Sequence, residues 1–203
     1  DMAVNSFTNQ TRAYIKIQDG CNNYCTYCII PYMRGNIRSK DINVALEECL
    51  TLVNHGHQEI VLTGIHTGSY GRGTDYDLVD LIQKMSLIPE LKRIRISSIE
   101  ITELNDKFLQ ELATNPKICN HLHIPLQSGA EAILKKMNRK YDKTYFLNKI
   151  NTIRNIRPNI SITTDCIIGF PGETDADFQE CLEFCQIINF SKIHVFPYSK
   201  REG

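Results

Sequence analysis

Residues 160–168 read ISITTDCII, and the alternation within them decides the fold. Ile160 and Ile162 fall on one face and Ser161, Thr163 and Asp165 on the other, the period of two that a strand imposes. The same division recurs three times: Ile94 and Ile96 against Arg93, Arg95 and Ser97; Leu122 and Ile124 against His121 and His123; Ile193 and Val195 against Lys192, His194 and Phe196. Residues 14–18 and the apolar run EIVLT at 59–63 complete six predicted strands. Helical periods lie between them. Ile42, Ala45, Leu46, Cys49, Leu50 and Val53 share a face, as do Leu104, Phe108, Leu109 and Leu112; residues 78–85 and 145–156 read as helix too. Ser128-Gly-Ala-Glu131 spells a capping box, and Thr174 opens a helix with Phe178, Cys181, Leu182 and Cys185 on one face.

A helix after each of the first five strands calls for a parallel sheet with right-handed crossovers. A closed eight-stranded barrel fills its interior with apolar layers. Here the apolar rows are expected to face the helices, leaving the polar rows to line an open, wet, partial barrel.

The 203 residues are 42% apolar, enough for one core. The 23 basic and 23 acidic side chains cancel, so overall charge does not advertise nucleic-acid binding. Any such role rests on a local patch or another domain. No apolar run reaches the roughly 20 residues that span a bilayer, and the opening DMAVNSFTNQTR lacks a signal pattern. The chain is read as soluble and cytoplasmic, with no membrane partner. Its eight cysteines are then reduced thiols or metal ligands rather than disulfides. Residues 1–12 read as a linker and 13–203 as one domain, part of a longer protein.

Three of the cysteines stand in GCNNYCTYCIIP at 20–31: Cys21, Cys25 and Cys28, on the loop after the first strand, where parallel α/β folds gather their chemistry. Three thiols within eight residues of a polar loop are poor core material. Structural zinc takes four ligands, which His66, His121, His123 or His194 would have to complete. An iron–sulfur cube on three thiolates keeps one iron without a protein ligand. Cys49, Cys119, Cys166, Cys181 and Cys185 are read as small core side chains, with no second cluster expected among them.

The C-x3-C-x2-C spacing, with Tyr27 before the third cysteine, resembles the signature of the radical S-adenosylmethionine enzymes. The resemblance implies their partial (β/α)6, TIM-like barrel, a 4Fe-4S cluster on Cys21, Cys25 and Cys28, and S-adenosylmethionine on the open iron. That pair yields methionine and a 5'-deoxyadenosyl radical. The longer stretches VLTGIHTGSYG (61–71), RISSIE (95–100), IPLQSG (124–129), MNRKY (137–141), TTDCIIGFPGET (163–174) and HVFPYSKREG (194–203) resemble the methylthiotransferases. Of these, RISSIE and FPYSKREG are most similar to the branch acting on N6-threonylcarbamoyladenosine beside the tRNA anticodon.

The resemblance assigns cofactor contacts to Tyr27, Thr63, Gly64, Ser98, Gln127, Arg139, Asp165 and Gly169. Thr63 and Gly64 form a turn toward the methionine amino group. Ser98 and Gln127 offer short polar groups at strand ends. Arg139 matches a carboxylate as a guanidinium fork does. Asp165 and Gly169 stand in the adenine-binding segment, with aspartate replacing the family's first glycine. Lys135, Lys136, Lys140 and Lys143 form a solvated face or meet RNA phosphates, and HTGSYGRG is a loop on the substrate side.

The family's enzymes carry an N-terminal domain with an auxiliary 4Fe-4S cluster and a C-terminal RNA-binding TRAM domain. The resemblance therefore implies that this chain binds cluster and cofactor without completing methylthiolation. It also implies a tRNA substrate held weakly by this domain, an electron donor such as flavodoxin or ferredoxin, and a monomer. The rivals are the isopentenyladenosine tRNA branch, the ribosomal-protein aspartate branch and, from another class, a zinc-stabilised RNA-binding module.

Overall fold

A computed structural model of the chain describes residues 11–201. Most of the expected linker at 1–12 and the last two residues lie outside them. Seven strands, β1 (Arg12–Asp19), β2 (Arg38–Ser39), β3 (Glu59–Gly64), β4 (Arg93–Ile96), β5 (His121–His123), β6 (Ser161–Ile168) and β7 (Lys192–Pro197), alternate with seven α-helices: α1 (Ile30–Arg34), α2 (Ile42–Asn54), α3 (Leu78–Ser86), α4 (Asp106–Thr114), α5 (Glu131–Lys136), α6 (Lys143–Ile156) and α7 (Asp175–Ile188). Six strands are parallel. They run β1-β3-β4 and β5-β6-β7, and the bridge between Ile94 and Ile118 joins the two sets. The two-residue β2 adds an antiparallel edge beside β1. The open, six-stranded parallel barrel is therefore as expected, while β2 and α1 were not read from the sequence.

The alternation has its expected meaning. Ile94, Ile96, Leu122, Ile162 and Cys166 are buried under the helices. On the other face Glu59 accepts from Arg93 Nε at 2.6 Å and Arg95 Nε at 2.8 Å. Thr163 Oγ1 lies 3.1 Å from His121 Nε2 and 2.9 Å from His123 Nδ1, and His123 Nε2 is 3.1 Å from Asp165 Oδ2. The lumen is a hydrogen-bonded polar layer.

Three expectations fail locally. Ser128 and Glu131 do not form a capping box: the fully buried Ser128 hydroxyl accepts from the Ala130 N–H, Glu131 accepts from the Lys143 N–H, and α5 starts uncapped after Ala130. On α7 the buried stripe is Cys181, Phe184, Cys185 and Ile188, whereas Phe178 is 44% exposed and Leu182 43%. Val195 is 62% exposed on β7, whereas Ile193 on the same face is partly buried against the core. Elsewhere caps explain the helix starts: Asp41, Asp77, Asn105, Asp142 and Thr174 all accept from first-turn N–H groups.

Candidate functional site

The cysteine loop leaves the end of β1 and is tied down at both flanks. The Cys21 N–H donates to Gly35 O at 3.1 Å. Thr26 reaches across to the end of α5, its N–H to Met137 O at 3.2 Å and its hydroxyl to Lys136 O at 2.8 Å, and Asn138 Nδ2 donates to Tyr24 O at 2.9 Å. Four of the five described non-glycine residues with positive φ lie in this loop or beside it: Tyr24 within it, and His66, Gln127 and Asn138 around it. Each left-handed residue costs about 1–2 kcal/mol. Such strain persists where the surrounding structure imposes it, commonly at sites of function.

Cys21, Cys25 and Cys28 are half-buried free thiols lining one cavity of about 190 Å³ with Tyr27, Ile65, His66, Glu100, Gln127 and Arg139. N–H groups aim at the sulfurs: Asn23 N is 3.4 Å from Cys21 Sγ, and Arg139 Nη1 is 3.3 Å from Cys25 Sγ. Burial raises the Cys21 thiol, but His66 and the Asn23 N–H outweigh it and hold the group low; burial pushes Cys28 up. His66 Nδ1 is 3.9 Å from Cys21 Sγ, and its Nε2 is 2.6 Å from Glu103. Burial opposes a charge on this ring, yet Cys21 and Glu103 push it up to about 10.

Arg139 is the anchor of the far wall. A guanidinium has five N–H donors, and all five are engaged. Nε donates to Tyr141 Oη at 3.0 Å, Nη1 to Cys25 Sγ and to Tyr27 Oη at 3.3 Å each, and Nη2 to Glu100 and to Pro125 O at 3.4 Å. The side chain is 3% exposed. Burial works against its charge, and Tyr141, Glu100, Tyr27 and Cys25 keep it protonated. A cofactor carboxylate reaches Arg139 only by displacing one of these acceptors.

A second cavity, of about 240 Å³, shares Tyr27 and Gln127 with the first and adds Asp165, Ile167, Phe196 and Tyr198. The structure thus gathers Cys21, Cys25, Cys28, Tyr27, Gln127, Arg139 and Asp165 around two adjoining hollows. Thr63, Gly64, Ser98 and Gly169 line neither. Gly64 has a packing cause, since an added Cβ would sit 2.3 Å from Gln18 O. Ser98 offers its carbonyl to Thr67, and the Gly169 N–H bonds Glu173. Glu100, Tyr141 and Ile65 belong to the site and carried no assigned role in the sequence, although three of the resembling motifs contain them, whereas His66, weighed only as a fourth zinc ligand, lines the same cavity with its Nδ1 3.9 Å from Cys21 Sγ and its other nitrogen on Glu103. The four lysines have protein partners: Lys135 with Glu131, Lys136 with Gly172 O, Lys140 with Asn138 and Lys143 with Glu180.

Among the described residues, the sulfurs that close to within 4.8 Å of one another are those of Cys166, Cys181 and Cys185, not those of the loop. A single zinc ion draws its thiolates to about 2.3 Å from itself and so close to one another. The loop trio's wider spread, its N–H-decorated sulfurs and its shared cavity suit an iron–sulfur cube, whose thiolates bind separate irons. His121 and His123 are committed to the lumen layer and do not complete a zinc site there.

Comparison with known proteins gives the same answer. At 47% identity over all of this chain, it is similar to the threonylcarbamoyladenosine tRNA methylthiotransferase MtaB of Bacillus subtilis, and at 45% over 98% of the chain to that of Thermotoga maritima. It is 43% identical, over 95% of its length, to the tRNA-2-methylthio-N(6)-dimethylallyladenosine synthase of Desulfitobacterium hafniense. The chain spans 46% of the length of the first two relatives and 43% of the third. Its fold is that of the radical S-adenosylmethionine methyltransferase TsrM of Kitasatospora setae (TM-score 0.74, 15% identity, covering 91% of this chain and 36% of that one) and of Escherichia coli coproporphyrinogen III oxidase HemN (TM-score 0.61, 19% identity, 92% and 43%). The model of the Radical SAM superfamily matches residues 15–185, nearly the whole barrel, and this chain belongs to that superfamily.

Proposed function

We propose that this chain is the radical-forming core of a tRNA methylthiotransferase that modifies C2 of N6-threonylcarbamoyladenosine. The observation that carries the reading is the meeting of Cys21, Cys25 and Cys28 on one cavity, with N–H donors directed at their sulfurs. The relatives' names and identities support the branch. In this reading the three thiolates hold the 4Fe-4S cluster, and the adjoining hollow takes the adenosine end of S-adenosylmethionine. When bound, the pair supplies one-electron reductive cleavage of the sulfonium.

The chain's own residues hold and screen that chemistry. Arg139 steadies Cys25 and ties it to Glu100. Tyr27, buried against Ala130, Ile133, Met137 and Phe170, walls off water between the hollows, and burial keeps its phenol protonated. Gln127 and Asp165 present polar groups to the adenosine end. Thr63, Gly64, Ser98 and Gly169 act from behind, by setting the backbone on which Ile65 and His66 stand and the turn that closes β6. An auxiliary-cluster domain before this core, a TRAM domain after it, a small electron-donor protein, a monomeric state and a cytoplasmic setting complete the reading. No described helix is long and apolar enough to cross a membrane.

Anaerobic reconstitution tests it. About four irons per chain with broad visible absorption are expected, with loss of both in Cys25→Ala. One zinc and no colour would establish the binding-module rival instead. The whole enzyme, assayed on tRNA carrying either threonylcarbamoyl- or isopentenyladenosine, distinguishes the branches: methylthiolation of only the latter overturns the assignment.

A further inference from the structure

We propose that Cys166, Cys181 and Cys185 form a second, separate metal site, for a soft monovalent cation of the Cu(I) type in three-coordinate sulfur ligation. Cys166 comes from β6, and Cys181 and Cys185 stand one turn apart on the inner face of α7. All three are free and buried, and their sulfurs lie within 4.8 Å of one another, with Cys166 Sγ 3.9 Å from Cys185 Sγ. Thiolate–metal bonds of about 2.3 Å place three sulfurs around one ion about 4.0 Å apart. The trio needs only a small contraction to reach that geometry.

The ligand set selects the ion. Thiolates favour Cu(I), zinc and iron–sulfur clusters. Structural zinc takes four ligands, whereas among the described residues no fourth cysteine, histidine or carboxylate joins this group. An iron–sulfur cube has no room between sulfurs this close.

One sulfur is already prepared for a cation. The Gly129 N–H donates to Cys181 Sγ at 3.0 Å, a close approach that a side chain at 129 would block: an added Cβ would lie 2.8 Å from Cys181 O. Copper enters and stays as Cu(I), so no electron moves. Each thiol that becomes a thiolate ligand releases its proton to solvent.

The site lies directly behind the cofactor hollows, because Cys166 pairs with Gln127 and the Ile167 N–H donates to Gln127 O at 2.8 Å. An ion there would fasten β6, α7 and the Gln127–Gly129 turn together.

The test uses the full chain carrying Cys21→Ala, Cys25→Ala and Cys28→Ala, so that the loop cannot bind metal, dialysed anaerobically against Cu(I) alone in competition with a chromogenic Cu(I) chelator. We expect one Cu(I) per chain, three sulfur neighbours in the copper X-ray absorption spectrum, and loss to none when Cys181→Ser and Cys185→Ser are added. The absorption spectrum needs no substitution in the trio, so it decides even where those variants fail to fold. No retained copper, fewer than three sulfur neighbours, undiminished binding by a folded Ser variant, or a Cys166–Cys185 disulfide in the anaerobically prepared protein would each overturn the proposal. The iron content of the unsubstituted chain tests the loop independently, so the two readings fail separately.

Discussion

Arg139 lines the cysteine cavity with its guanidinium already engaged by the protein. A guanidinium in MNRKY invites a carboxylate, and the carboxylate it has in the structure is the protein's own Glu100. Removing one partner of a buried pair strands the other, at about 3–5 kcal/mol. Arg139→Met is predicted to lower the unfolding free energy of the cluster-free chain by about 3 kcal/mol in urea titrations, and Arg139→Met with Glu100→Gln to recover much of it. Equal losses in the single and double variants would show that the pair is not coupled. Gly64 is the second case. It has φ +154° where β3 meets β1, opposite Gln18 and just past a register shift. Gly64→Ala is predicted to cost about 2–3 kcal/mol by thermal or urea unfolding even without cofactor, because the clash is with backbone. A drop in cofactor binding with unchanged stability would instead restore the direct contact.

At the scale of elements, Glu59 fastens β3 to β4 within the lumen. Burial raises its carboxyl, but Arg93 and Arg95 outweigh this and hold it below the ordinary value of 4.5. A folded-state pKa below the unfolded one adds stability that is fully present above about pH 4.5 and disappears as pH falls through the folded value. Glu59→Gln is therefore predicted to cost about 2 kcal/mol near neutral pH, with the gap from the parent chain narrowing below pH 4.5 in denaturant titrations. A gap independent of pH would mean that packing, not charge, holds this contact. Helix α7 teaches the complementary lesson. Residues 178, 181, 182 and 185 and residues 181, 184, 185 and 188 both satisfy i, i+3, i+4, i+7, so the period establishes a helix but leaves two overlapping stripes. Contact with Gly129 and Phe146 selects the second.

At the scale of the whole molecule, 23 basic and 23 acidic groups leave no net charge to draw in RNA, and the four lysines between residues 135 and 143 are paired within the protein. Each neutralised phosphate contributes about −0.7 to −0.9 to the slope of log affinity against log salt, so this chain alone is predicted to bind tRNA weakly, with a slope no steeper than about −2. Fluorescence anisotropy over a salt series measures this, and a steep slope would place the main RNA surface on the barrel itself.

By itself the sequence determined the parallel open barrel, because strand alternation and helical period are local properties that survive without knowledge of neighbours. It also determined the cysteine loop, whose three thiols are close along the chain. Tertiary structure alone decided what covers each face and which distant groups meet. The second cysteine trio spans residues 166 to 185 and reads as ordinary core until β6 and α7 pack together. The five-fold engagement of Arg139 draws on residues 25, 27, 100, 125 and 141. Such contacts depend on chain crossings that no local pattern encodes.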